Sequence, residues 1–138
     1  MKIDAHHHLW DPSRGDYGWL TPELGVLYRT FGPEDVKPLL KAAGVDGTVL
    51  VQAAPTVAET DYMLAIAREN DFIKGVVGWV DFEAPDAVDT ITRLAKEPLL
   101  KGLRPMIQDI ADPDWMLQGE LAPAFEALIE TGLRFDAL

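Results

Sequence analysis

The feature that most limits what this chain can fold into is alternation. Short β-rich runs at residues 2–7, 48–52, 73–80, 100–106 and 133–138 are separated by segments of helical character. Residues 33–43 place Val36, Leu39, Leu40 and Ala43 at i, i+3, i+4 and i+7, one apolar stripe, with Gly44 at the exit. Residues 56–70 open on Thr56 with Glu59 three positions later, the pattern of a capping box, and bury Met63, Leu64, Ile66 and Ala67. Residues 85–97 carry Val88, Ile91, Leu94 and Ala95. Residues 120–131 carry Leu121, Phe125, Leu128 and Ile129, with Gly132 as the stop.

Strands that alternate with helices imply a parallel sheet with right-handed crossovers. Two α/β architectures compete: a (β/α)8 TIM barrel and an open doubly wound sheet. The first βα connection has no glycine-rich phosphate loop. Instead, residues 9–32 form a long polar and aromatic connection, which suits the mouth of a barrel better than a compact open sheet. The chain also ends in "GLRFDAL", inside a strand-like run with no helix after it. A parallel strand is normally covered on both faces. The expectation is a single domain over residues 1–138, the N-terminal portion of a longer barrel, incomplete at about five βα units. Its unpaired sheet edge then predicts self-association.

Composition narrows the partners. The 138 residues include 23 acids against 12 bases, a formal charge of -11, which repels nucleic acid and anionic membranes alike. There is no cysteine, so disulfides, thiolate metal sites and cysteine nucleophiles are excluded. The N-terminus lacks the apolar run of a signal peptide, and no stretch reaches the length of a membrane span. The expected setting is cytoplasmic and the expected partner a small molecule.

All three histidines fall in "IDAHHHLW", residues 3–10. In a strand alternate side chains share a face, so Asp4, His6 and His8 point one way and His7 the other. Two imidazoles two positions apart can converge on one divalent cation, and Asp4 is placed to accept a ring N–H behind them. The bland alternative is a histidine pair hydrogen-bonded structurally in the barrel mouth. His7 is expected to face the helix layer.

"IDAHHHLWD", with "YGWL", "VLVQAAP", "VVGWVD" and "LKGLRPMIQD" in that order along the chain, resembles the amidohydrolase-2 group of the amidohydrolase superfamily. The likeness is strongest to its branch that hydrolyses sugar-acid lactones. It implies a distorted (β/α)8 barrel with the first-strand His-x-His motif on His6 and His8. It also implies a further histidine from a later strand and an aspartate at the end of the eighth. This chain has no histidine after His8, so the general base is expected beyond Leu138. The branch varies in metal use: the resemblance implies zinc or manganese at His6 and His8 in some members and no metal in others.

At other strand ends, Arg104 can grip a carboxylate or a lactone oxygen through two parallel hydrogen bonds, or else pair with a structural acid. Gln52 can bind a sugar hydroxyl or cap a loop. Trp79 can floor a sugar pocket or simply pack, and Asp81 can hold a hydroxyl or start the next helix. Trp10, Tyr17 and Trp19 can wall the pocket or plug it. The function that the resemblance implies is opening of a cyclic ester to a hydroxy acid. A metal-dependent decarboxylase or C–N amidohydrolase on the same fold is one rival, and a catalytically silent fragment is another.

Overall fold

In the computed structural model, which describes residues 1–137, five strands and four helices alternate along the chain. They are β1 (Ile3–His7), α1 (Pro33–Ala43), β2 (Gly47–Val51), α2 (Val57–Glu69), β3 (Ile73–Gly78), α3 (Ala87–Leu94), β4 (Leu100–Leu103), α4 (Ala122–Thr131) and β5 (Arg134–Phe135). Four of the five strands are shorter than their β-rich runs, and β2 is shifted one residue earlier, because the ends of those runs, such as Gln52 and Arg104, turn away into the βα loops. The last expected strand position, Leu138, lies outside the described residues.

The sheet order settles the architecture. All neighbours are parallel and follow chain order, β1-β2-β3-β4-β5. A doubly wound sheet reverses its order at a switch point. Here no reversal occurs, so right-handed crossovers put every helix on one face. This is the winding of a barrel wall. Leu50, Val76 and Leu103 of the sheet pack with Met63 and Leu64 of α2, Ile91 and Leu94 of α3 and Leu128 of α4 in one core. By strand alternation, Val51 and Val77 point to the other, concave side.

The helices begin and stop for local reasons. Gly44 and Gly132 adopt the left-handed conformation, with φ of 62° and 73°, that ends α1 and α4 at low steric cost. At α2 the Thr56 hydroxyl accepts the Glu59 N–H at 3.0 Å, as a capping box requires. The other half of the box is not made. The Glu59 carboxylate reaches past Thr56 to the N–H groups of Ala53 and Ala54.

Two apolar stripes are only half used. Leu39 on α1 is 67% exposed and Ile129 on α4 is 79% exposed, although helical spacing marked both for the core. No helix among the described residues is long and apolar enough to cross a membrane.

Candidate functional site

The carboxyl ends of the strands gather the residues singled out above. His6 and His8 leave β1 on the same side, across a register irregularity between Asp4 and His7. Their Nε2 atoms are 3.2 Å apart and their rings meet edge to face. His8 Nδ1 donates to the Val51 carbonyl at 2.9 Å, which fixes its tautomer and leaves Nε2 with the lone pair. Burial holds His8 below the ordinary imidazole range and so keeps it neutral. Asp4 does not take the ring-holding part expected of it. Its carboxylate accepts the backbone N–H of His6 at 3.2 Å, and the Val51 carbonyl orients His8 instead. His7 turns to the helix layer, with Nε2 2.9 Å from the Thr48 hydroxyl.

The pair fits a divalent ion. Two nitrogens each ~2.05 Å from a zinc ion and 3.2 Å from each other subtend about 100°, near the tetrahedral angle. Among the described residues no group of three or more His, Asp or Glu side chains is set to hold a metal, so these two are what this stretch of chain offers.

Arg104 lies just past β4 and is only 5% exposed. Its Nη2 donates to the Gln52 carbonyl at 2.7 Å, and its own carbonyl accepts from the Gln52 amide at 2.8 Å. This reciprocal pair spans β3 and locks two strand ends together. No carboxylate among the described residues comes within ion-pair distance of the guanidinium, and its buried Nε has no partner among them. Burial lowers the guanidinium's proton affinity, while the charges of Asp136 and Glu59 oppose that shift. Gln52 is fully buried: its side chain braces Arg104 and does not line the open space.

That open space is a cavity of about 380 Å³ lined by His8, Trp10, Trp19, Ala53, Arg104, Met106, Gln108 and Asp109. The long first loop supplies its aromatic wall. Trp10 is held by an antiparallel bridge to Phe31 and by its indole N–H on the Leu27 carbonyl. Trp19 stands edge-on to Trp10 at 5.4 Å and donates its indole N–H to the Ala53 carbonyl at 2.7 Å. Tyr17 is buried against Ala53 and Ala54 and does not reach the cavity lining. Trp79 lines a second cavity of about 270 Å³ with Asp81, Phe82 and Trp115, which shares Met106 and Asp109 with the first. Asp81 accepts the Glu83 N–H at 3.0 Å in the turn that leads to α3.

Several contributors were not legible beforehand. Met106 and Asp109 sit in the β4–α4 loop, and their place just past a strand end was the one available signal. Asp136, whose charge acts on Arg104, follows directly after β5. Glu59 looked like an ordinary cap.

The chain is similar to known proteins along its whole length. The family model described as Amidohydrolase matches residues 3–138. An L-fucono-1,5-lactonase of Burkholderia ambifaria is 45% identical over all of this chain and 48% of its own length. One from Burkholderia multivorans is 34% identical over 81% of this chain and 38% of its own length. A crystal structure of an amidohydrolase from Burkholderia multivorans with bound zinc superposes with a TM-score of 0.89 at 31% identity. It covers 100% of this chain, which in turn covers 49% of it. The chain thus spans about half the length, or less, of the proteins it matches.

Proposed function

This chain belongs to the amidohydrolase family, and we propose from that premise that it forms the first half of a hydrolase that opens a sugar-acid lactone to its hydroxy acid. The observation that carries the reading is the buried Arg104, without a carboxylate partner among the described residues, on the same cavity as His8. A buried guanidinium is stable where an anion or a strongly polarised oxygen completes its hydrogen bonds. Ester hydrolysis develops such charge on the carbonyl oxygen and leaves a carboxylate product. The L-fucono-1,5-lactonase relatives support the substrate class.

The roles follow from position. Arg104 holds the carbonyl oxygen and then the product carboxylate. Trp10 and Trp19 present apolar faces to the ring carbons of the sugar, as Trp79 does from the adjoining cavity, and Gln52 keeps Arg104 in place. His6 and His8 are the residues that would hold a zinc or manganese ion. Such an ion supplies Lewis-acid polarisation and a more acidic bound water. The zinc in the similar crystal structure supports that assignment. The acidic composition suits a cytoplasmic enzyme acting on a small neutral substrate, and self-association along the free strand edges belongs to the same reading. The relatives lend no support to a decarboxylase or a C–N hydrolase.

Proton release from a panel of aldonolactones, followed with a pH indicator, tests the reaction. Turnover above spontaneous opening supports it. A folded chain that neither turns over nor binds any aldonolactone or its open acid overturns it. Binding of the open acid without turnover identifies a catalytically silent half.

A further inference from the structure

We infer that Glu59 is a positioning residue for the cavity: its carboxylate pins the Ala53–Ala54 turn, and through the Ala53 carbonyl it holds Trp19 against the site. The geometry is a continuous relay. Glu59 is fully buried. One carboxylate oxygen accepts the Ala53 N–H at 3.1 Å, and the other accepts those of Ala53 and Ala54 at 3.0 and 2.6 Å. The Ala53 carbonyl then accepts the Trp19 indole at 2.7 Å. Ala53 and Trp19 both line the cavity with His8 and Arg104.

The residue type follows from what the turn demands. Two successive N–H groups point into a buried space, and Pro55 after them has none to offer. A carboxylate is all acceptor and satisfies both. Protonation at Oε1 removes its 3.1 Å contact with Ala53 and the negative charge shared with Oε2, so Oε2 still accepts both N–H groups but as an uncharged, weaker acceptor, and the turn loosens.

The surroundings place that change near neutrality. Burial is the largest influence and pushes Glu59 up to about 7; the Ala54 and Ala53 N–H groups pull it down, and Asp16 raises it further. Tyr17 and Tyr62 also face it, together with the cation Arg104, while Arg14 pairs with Asp16 nearby. Trp19 is therefore held firmly when Glu59 is ionised and more loosely when it is protonated. The inference rests on the lactonase reading only in taking this cavity as the substrate site.

The test is an amide NMR titration of the chain from about pH 5 to about pH 9. The Ala53 and Ala54 amide signals and the Trp19 indole N–H signal should move together with one midpoint near 7, and all three should stay flat in Glu59→Gln. A Trp19 indole that does not follow the two amides in the parent protein overturns the relay, whatever the variant does. Persistence of the titration in Glu59→Gln overturns the assignment to Glu59. No substrate is involved, so a failed lactone assay leaves this result standing, and a failed titration leaves the lactonase reading standing.

Discussion

Arg104 carries the most charge into the least water of any residue at the site. Its reciprocal hydrogen bonds with Gln52 fix where the guanidinium points, and the cavity decides what it meets. A hydrogen bond to a charged group contributes about 1.5–3 kcal/mol, so Arg104→Met should lower kcat/KM for a lactone about 10- to 100-fold. Arg104→Lys should recover only part, because an ammonium cannot make two parallel bonds in one plane. Steady-state kinetics check both, and equal losses in the two variants would mean that the fork geometry is irrelevant. The histidines allow a second check at the same scale. Zinc titrated calorimetrically should lose most of its binding in His8→Ala and keep it in His7→Ala, since His7 spends its Nε2 on Thr48. Parity of these two variants would remove the ion from His6 and His8. This division was visible in the sequence, because strand alternation separates His7 from its neighbours. The role of Gln52 was not visible. Its partner is 52 positions away, and nothing local marks a side chain that crosses one strand to reach the next.

At the scale of elements, α2 is joined to the sheet by contacts that tolerate little change. Thr60 packs on β3 so closely that a Cβ at Gly78 would stand 2.5 Å from its methyl group and 2.8 Å from its hydroxyl. That hydroxyl also accepts the Trp79 N–H and donates to the Trp79 carbonyl. Gly78→Ala must therefore push the helix away or break that pair, at a cost of about 1–3 kcal/mol. Urea unfolding should show it as a lower midpoint, and an unchanged midpoint would mean that helix and strand slide freely. The pH behaviour of α2 has a definite sign. Folded Glu59 titrates at about 7, above the ~4.3 of an ordinary glutamate in the unfolded chain. Between these values the folded state binds more protons, so this group's contribution is fully present at low pH and is lost as pH rises towards 7. Glu59→Gln should gain stability on the parent across that window, by up to about 3 kcal/mol. A relative loss over the same interval would show that the Ala53 and Ala54 bonds outweigh burial. The helices themselves were legible because apolar spacing and caps are local. Strand lengths were not, since the runs continue into loops whose residues serve the cavity.

For the molecule as a whole, the order of the sheet that makes a barrel wall leaves one side of β1 and one side of β5 without a strand partner among the described residues. Among the described residues β1 pairs only with β2, and β5 only with β4. Exposed strand edges offer rows of unpaired N–H and C=O groups to any similar edge. The bare side of α1 at Leu39 and the bare side of α4 at Ile129 add apolar surface to them. Local periodicity marked those stripes for burial but could not say which neighbour would cover them. Opposing association is the formal charge of -11, which makes copies of the chain repel one another, a force that salt screens. The balance predicts self-association that grows with concentration and is stronger at ~500 mM than at ~20 mM NaCl, because the Debye length shrinks from about 20 Å to a few ångström. Sedimentation velocity measures this directly. Ile3→Lys puts a charge on the free edge of β1, where the side chain is already partly exposed, and should return the chain to monomer without changing its circular dichroism. A parent chain that stays monomeric at every concentration and both salts would mean that these edges are already guarded.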